Sequence, residues 1–122
     1  MQLVAVSNGI RMGETGTFFV FLQNFQNIPE SDVVVTMQLP DGLEYVRHSW
    51  SSNLQLLSNP NNLRTVEIGP IRSIAAQQTT LQPIKIDLKG TKTGNYDVTV
   101  QVRSKNLVQP VQATTKTFVT AQ

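Results

Sequence analysis

The single histidine of the chain, His48, is the residue around which an acid–base or histidine–metal site would have to be built. It lies beside Ser49 and Trp50, so a hydroxyl group is close to it in sequence. A Ser-His-Asp triad also needs a carboxylate that orients the imidazole, and a zinc site needs further ligands at fixed spacing. Neither pattern surrounds His48, and the chain has no cysteine that could act as nucleophile or thiolate ligand. We therefore predict no catalytic residue.

The acidic residues are the second possible source of chemistry. They are spread along the chain, and Glu30 and Asp32 form the only close pair. No Asp-x-Asp-x-Asp-Gly calcium loop and no glycine-rich phosphate loop is present. A paired-carboxylate hydrolase would also need a cleft, which a chain of this length rarely encloses. We predict that the chain is not an enzyme and holds no cofactor or metal, with a weak calcium site between strands as an alternative.

The charge distribution argues against a nucleic-acid partner. The net charge is +2, and the basic residues are scattered from Arg11 to Lys116 without a run. Binding to nucleic acid would require these charges to cluster on one face. No apolar stretch approaches the roughly 18 residues that a membrane-spanning helix needs. We expect one domain covering residues 1–122, excised from a larger protein, because the first residues lack the features of a signal peptide.

Alternation of apolar and polar side chains is the dominant pattern, and it predicts strands with one buried face. In residues 95–103 the side chains of one face are Tyr96, Val98, Val100 and Val102. Residues 84–89 alternate in the same way, and the glycines of 90–94 indicate a turn. We expect these two strands to form a hairpin in which Lys85 and Lys89 share the outer face with Asp97. Such an exposed cross-strand ion pair contributes little to stability.

The remaining strands follow from β-rich runs bounded by turn residues. Pro40-Asp41-Gly42 is a strong turn signal. The further strands are predicted at 17–24, 31–39, 43–46, 64–68 and 111–120, with one short strand inside 49–62. Gly69-Pro70 is expected to end the strand at 64–68. No segment has the apolar spacing of a helix. Strands at this spacing predict an all-β chain, an immunoglobulin-like antiparallel β-sandwich of seven to eight strands.

Two phenylalanines interrupt the expected pattern of one polar face. If Phe18, Val20 and Leu22 face the core, then Phe19 and Phe21 face the opposite side. Exposed apolar area of this kind is typical of a contact surface. The alternatives are that the strand has the reverse phase, or that the N-terminal strand or a loop covers the two rings. We name Phe19 and Phe21, together with Phe25, as a candidate protein-contact surface.

The only tryptophan is the second candidate for a binding role. Trp50 is flanked by Ser49, Ser51 and Ser52. A tryptophan on a loop with hydroxyls nearby can stack on a sugar ring. A lone tryptophan at a strand end is more often a cap on the core. Both interpretations remain open for Trp50.

The order of the motifs is more specific than any motif alone. Gly13-Glu14 precedes a strand that ends at Asn24, 39–43 reads Leu-Pro-Asp-Gly-Leu, and Gly94-Asn95-Tyr96 opens a later strand. This order resembles the conserved-repeat domain of bacterial envelope proteins (domain of unknown function 11), an immunoglobulin-like sandwich. The resemblance extends over nearly the whole chain. It departs from the family at Met37, where an acidic residue is frequent, and at 75–77, where the family usually has a Pro-Gly turn.

The resemblance implies a module of a larger secreted or surface-anchored bacterial protein, located outside the cell or in its envelope. It implies no active site. On this basis we predict a non-catalytic structural or spacer module whose partners are the neighbouring domains of the parent chain. The alternative is a module that binds a carbohydrate or another protein through exposed aromatic side chains.

Overall fold

The chain folds as a two-layer β-sandwich in a computed structural model that describes residues 2–7, 9–51, 53–61, 64–78, 82–105, 107 and 109–121. These ranges contain ten strands and no helix. The strands are β1 Gln2–Ser7, β2 Ile10–Arg11, β3 Thr15–Gln23, β4 Glu30–Gln38, β5 Leu43–Ser49, β6 Gln55–Leu56, β7 Thr65–Ile74, β8 Ile84–Gly90, β9 Gly94–Arg103 and β10 Val111–Thr120. The predicted immunoglobulin-like fold is confirmed, with ten strands because the first eleven residues add β1 and β2.

The two sheets enclose one apolar core. The first sheet has the strand order β1-β3-β8-β5, and the second has the order β2-β10-β9-β4-β7-β6. Phe18, Val20 and Leu22 of β3 are 1%, 0% and 3% exposed, and Val98 and Val100 of β9 are fully buried. Alternation therefore predicted the buried face of both strands correctly. Removing these side chains from water is the main source of stability in such a fold.

The predicted hairpin between β8 and β9 is wrong. The two strands lie in different sheets: β8 pairs with β3 and β5, and β9 pairs with β4 and β10. Asp97 consequently lies opposite Lys116, not beside Lys85 and Lys89. Both strands bury one face in the same core, so they have the same sequence pattern whether or not they are neighbours. The glycine-bounded segment 90–94 is a crossover between the sheets.

Strand β7 does not end at Gly69-Pro70 as predicted. It continues to Ile74. Between the pairs Val35–Ile68 and Val33–Ile71, β7 has two residues, Gly69 and Pro70, where β4 has one, so Pro70 lies in a bulge. A bulge of this kind leaves a residue outside the hydrogen-bonded ladder, so the missing N–H of proline costs no strand pairing. Residues 70–73 of β7 extend past the short edge strand β6, which pairs with Ile68 and Gly69.

The N-terminal segment divides between the two sheets. Strand β1 pairs antiparallel with β3, whereas β2 pairs with β10 in parallel, with Ile10 opposite Val119. Between them, the Ser7 hydroxyl lies 2.8 Å from the Thr117 hydroxyl across the gap between the sheets. Ser7 and β2 therefore both lie beside the C-terminal part of β10, and β2 runs in the same direction as β10. The first residue of β1 and the last residue of β10 lie at opposite ends of the sandwich.

A tyrosine closes the crossover between β8 and β9. The Tyr96 hydroxyl donates a hydrogen bond to the Lys92 carbonyl at 2.8 Å, and its ring covers Gly42. Gly42 has a φ of 119°, and a Cβ there would collide with the Tyr96 ring. A tyrosine whose hydroxyl bonds back to the preceding backbone is a known corner of immunoglobulin-like sandwiches.

Replacing Tyr96 with phenylalanine tests this corner. The variant keeps the ring over Gly42 and loses the hydroxyl proton that Tyr96 donates to the Lys92 carbonyl at 2.8 Å and shares with the Thr93 carbonyl at 3.2 Å. We expect the free energy of unfolding to fall by about 1 kcal/mol, the usual net contribution of one hydrogen bond. This corresponds to a decrease of about 4 °C in the melting temperature of a chain of this size. Circular dichroism melts of both proteins measure it, and an unchanged melting temperature would show that the bond contributes nothing.

Candidate ligand-binding surfaces

Trp50 lines a surface cavity of about 350 Å³. The residue follows β5, in the segment that leaves the first sheet and crosses to β6 in the second. Its indole Nε1 donates a hydrogen bond to the Gln82 carbonyl at 2.7 Å, and the side chain packs partly against the core. The ring is therefore held in one orientation. The cavity lies between this crossover and β7, and its lining residues are Trp50, Asn53, Leu54, Pro70, Ile71, Arg72 and Ser73.

His48 has a structural role beside this cavity. Its Nε2 lies 2.7 Å from the Leu54 carbonyl, which can only accept, so Nε2 carries the proton in the neutral ring. Nδ1, 2.6 Å from the Tyr45 hydroxyl, then accepts the hydroxyl proton. Burial raises the pKa of Tyr45 above its ordinary value. Both imidazole nitrogens of His48 are thus engaged, and they fix the backbone of Leu54 at the cavity wall.

Among the described residues, Arg72 is the only charged one in the cavity lining. The structure places it there because β7 passes Pro70 and continues to Ile74. Sequence reasoning did not single out this residue. No local pattern marks Arg72, since its position beside Trp50 depends on the crossover from β5 to β6. Ser52, predicted next to Trp50, lies outside the described residues.

Phe19 and Phe21 lie on the outer face of the four-stranded sheet, as the alternation of β3 predicted. Both are partly buried. Across the β1–β3 pair, Val6 is opposite Phe19 and Val4 is opposite Phe21, and these valines are 45% and 41% exposed. Strand β1 lies beside the two rings and does not cover them. We call Val4, Val6, Phe19 and Phe21 the outer apolar face.

Phe25 is separate from the outer apolar face. It lies beyond the end of β3, in the loop that leads to β4, and is 48% exposed. Its carbonyl accepts a hydrogen bond from Gln77 Nε2 at 2.7 Å, which ties the loop to the segment after β7. Among the described residues, no ring contact joins Phe25 to Phe19 or Phe21. The structure therefore brings two of the three predicted contact residues together.

The paired carboxylates of the sequence diverge in space. Glu30 is fully buried and accepts a hydrogen bond from the Ser104 hydroxyl, while Asp32 is exposed with a φ of 53°. A positive φ turns the Asp32 side chain away from the regular alternation of β4. Within the described ranges, no three His, Cys, Asp or Glu side chains come together in a way that could hold a metal ion.

Several charged side chains elsewhere pair with each other at the surface. Asp41 lies 2.5 Å from Lys92 Nζ and 2.6 Å from Arg64. The hydrogen bond from Lys92 is the main reason that the pKa of Asp41 lies below its ordinary value. On the outer face of the four-stranded sheet, Arg47 pairs with Asp87 at 2.8 Å. These pairs join turns and neighbouring strands.

Comparison with known proteins identifies the fold. No family model matches the chain, so the resemblance to the conserved-repeat domain stays a prediction, and no curated protein sequence matches it. Among solved structures, a cohesin module of a Clostridium perfringens family 33 glycoside hydrolase matches with a TM-score of 0.68 and 7% identity, over 98% of this chain and 96% of that one. The C-terminal domain of the Streptococcus agalactiae AgI/II polypeptide BspA matches with a TM-score of 0.67 and 11% identity, over 97% of this chain and 50% of that one.

A third structure extends the group. The collagen-binding subdomain of the Enterococcus faecalis surface protein ACE matches with a TM-score of 0.53 and 5% identity, over 96% of this chain and 94% of that one. At such identities the likeness concerns the fold alone. The chain thus has the immunoglobulin-like β-sandwich fold also found in cohesin and surface-protein domains of bacteria. No helix within the described ranges is long and apolar enough to span a membrane.

Proposed function

We propose that this chain is a non-catalytic structural module of a secreted or cell-surface bacterial protein, and that it holds neighbouring domains apart. The observation that carries this proposal is the position of the two chain ends. Gln2 opens β1 and Thr120 closes β10. Ser7, at the end of β1, lies beside Thr117, and β2 pairs in parallel with the end of β10. Domains joined at the two ends would therefore sit on opposite sides of the sandwich.

The length of the strands sets the spacing. Strand β10 has ten residues, Val111–Thr120, and its last residue lies opposite Arg11. Ten residues of extended chain span about 30 Å at roughly 3.3 Å per residue. A neighbour on each side would be held apart by about this distance. A fold whose ends were adjacent would instead place the two neighbours side by side.

The same geometry resists a stretching force. A force that pulls the two ends apart slides β2 along β10 and β1 along β3, so it loads several hydrogen bonds at once. Hydrogen bonds that are loaded together must break together, whereas a force across a strand pair breaks them one at a time. The fully buried core adds further resistance, because the sheets must separate before the strands are released.

The cellular location rests on the shared fold. The cohesin module, the AgI/II domain and the collagen-binding subdomain are modules of bacterial proteins, one of them described as a surface protein. An extracellular or envelope location is consistent with a chain whose stability comes from an enclosed apolar core. The absence of cysteine also makes that stability independent of redox conditions.

Single-molecule pulling in two directions tests the spacer role. The chain has no cysteine, so handles can be attached at introduced cysteines alone. One protein carries Gln2→Cys and Thr120→Cys, and the matched control carries Gln101→Cys and Gln112→Cys, which are opposite each other in β9 and β10. We expect a clearly higher unfolding force through the ends than across the pair, because rates of forced unfolding depend on the direction-specific barrier. Equal forces in both directions would argue against a load-bearing module.

A second function, contact with a protein, is favoured by the outer apolar face. Four apolar side chains on two adjacent strands form it, and Lys85 lies next to Phe19 on the neighbouring strand β8. We propose that an adjacent protein domain with an apolar centre and an acidic rim packs there. Substituting Phe21 with serine would weaken such packing with little effect on the fold of the chain alone, since the ring is only partly buried.

A further inference from the structure

We propose that the cavity beside Trp50 binds a carboxylated sugar, with the ring of the sugar on the indole and its carboxylate on Arg72. This role goes beyond the spacer function and does not depend on it. The cavity volume of about 350 Å³ lies within the range of roughly 300–1,000 Å³ that is typical of small-molecule sites. Its size suits one sugar unit, which could belong to a longer chain that continues into solvent.

The indole provides a fixed stacking surface. Its N–H is already bonded to the Gln82 carbonyl, so Trp50 has no polar group left to offer and presents the ring itself. Leu54, Pro70 and Ile71 complete the apolar part of the lining. A ring held by a hydrogen bond loses little conformational freedom on binding, and this favours affinity. A sugar ring has an apolar face of C–H groups that matches such a surface.

Arg72 provides the charge. Within the described part of the chain, no carboxylate lies at ion-pair distance from its guanidinium, whereas Arg47, Arg64 and Arg103 each pair with an acidic residue. The acidic residue of β4 nearest to Arg72 is Asp32, which lies between Ser31, the partner of Ser73, and Val33, the partner of Ile71. No ion pair joins Asp32 to Arg72. An unpaired guanidinium in a partly apolar cavity is suited to a bidentate contact with a carboxylate.

The remaining polar groups distinguish a sugar from an aromatic acid. Asn53 and Ser73 line the cavity together with Arg72. Their amide and hydroxyl can both donate and accept hydrogen bonds, and no bond engages either side chain among the described residues. Sugar hydroxyls need partners of this kind, whereas benzoate has none to offer. The combination of ring face, cation and paired donor–acceptor groups therefore favours a sugar acid.

The single tryptophan makes the test direct, because all indole fluorescence of the chain reports on this cavity. The probes are glucuronic acid, its methyl ester and benzoate. The ester has the same ring and hydroxyls without the charge. We expect glucuronate to change the fluorescence in a saturable manner and to bind at least about tenfold more tightly than the ester, the effect of one charge-assisted contact. Benzoate should bind more weakly than glucuronate.

Variants separate the two contacts. Arg72→Gln should reduce the affinity for glucuronate to that for the methyl ester and leave the ester unchanged. The matched control is Arg11→Gln on β2, an exposed arginine at the opposite edge of the six-stranded sheet. It should bind both probes as the unmodified chain does. For Trp50→Ala, in which the fluorescence is lost, calorimetry should show no binding of either sugar.

Three results would overturn the proposal. They are the absence of a saturable response to glucuronate, an equal affinity of Arg72→Gln and the unmodified chain for it, or tighter binding of benzoate than of glucuronate. None of these results affects the pulling experiment, so failure here would leave the spacer function standing. A circular dichroism spectrum of each variant shows whether it is folded, and the two arginine variants are expected to be folded because Arg72 and Arg11 are both exposed.

Discussion

Replacing Asn24 with alanine should lower the free energy of unfolding by about 3 kcal/mol, through the loss of a buried hydrogen-bonding centre. The side chain is fully buried. Its Nδ2 lies 3.1 Å from the Ile28 carbonyl and 3.2 Å from the carbonyls of Ile74 and Ala75, and its Oδ1 accepts from the Gln26 N–H at 3.1 Å. Alanine leaves these groups without partners, and each costs about 1–3 kcal/mol where water cannot replace the bond.

Two further variants show whether the amide itself is responsible. Asn24→Asp keeps the shape but cannot donate when ionised, so it should be destabilised more at pH 7 than at pH 4, where the protonated acid donates one bond. Asn95→Ala, an exposed asparagine on β9, is the control and should change the free energy by no more than about 0.5 kcal/mol. Urea denaturation at both pH values measures all three. A similar loss for Asn24→Ala and Asn95→Ala would contradict the role of Asn24 in joining the β3–β4 loop to the end of β7.

Strands and their buried faces were predictable because alternation is a local property. Residues 84–89 and 95–103 each show which side chains meet the core, and the structure confirms both. Their sheet assignment was not predictable from the same pattern. A strand in either sheet buries alternate residues in one core, so Val98 has the same sequence signature whether β9 neighbours β8 or β4. The error in the β8–β9 hairpin has this cause.

Local rules also failed where tertiary structure overrides them. Gly69-Pro70 is a good stop signal, yet a bulge against β4 allows β7 to continue. This continuation places Arg72 of β7 near Trp50, although β7 and the strand that precedes Trp50, β5, lie in different sheets. The sequence could single out Trp50, as the only large aromatic side chain among small polar residues. Arg72 could not be identified from the sequence as a neighbour of Trp50, because the cavity depends on the path of the β5–β6 crossover.

Asn24 illustrates a third limit. Its place at the end of the predicted strand 17–24 carried no prediction about the burial of its side chain. The structure buries the side chain, because the loop to β4 folds back over it and the end of β7 supplies two carbonyls. Asparagine is a frequent loop residue, since its amide can replace backbone partners. Only the three-dimensional path of the loop determines whether that amide meets water or peptide groups.

Adjacent phenylalanines on β3 should differ sharply in what they contribute to stability. Phe18 is 1% exposed, so Phe18→Ala should lower the free energy of unfolding by about 4 kcal/mol, as expected when a large core side chain is removed and leaves a cavity. Phe19 lies on the outer apolar face and is only partly buried, so Phe19→Ala should cost about 1 kcal/mol. The two variants match in residue type, strand and chemistry, and they differ only in the face of the sheet.

Guanidinium denaturation of the two variants gives the comparison, with equal slopes expected because both unfold the same surface. An equal loss of stability would mean that the outer face is as tightly packed as the core, and the proposal of a contact surface there would fail. The expected difference has a functional consequence. If Phe19 adds little to the stability of the chain alone, its large ring exposes apolar area to water without a matching gain from packing within the chain. Contact with another protein domain gives that ring a role, since covering it would add the stabilisation that the isolated sandwich lacks.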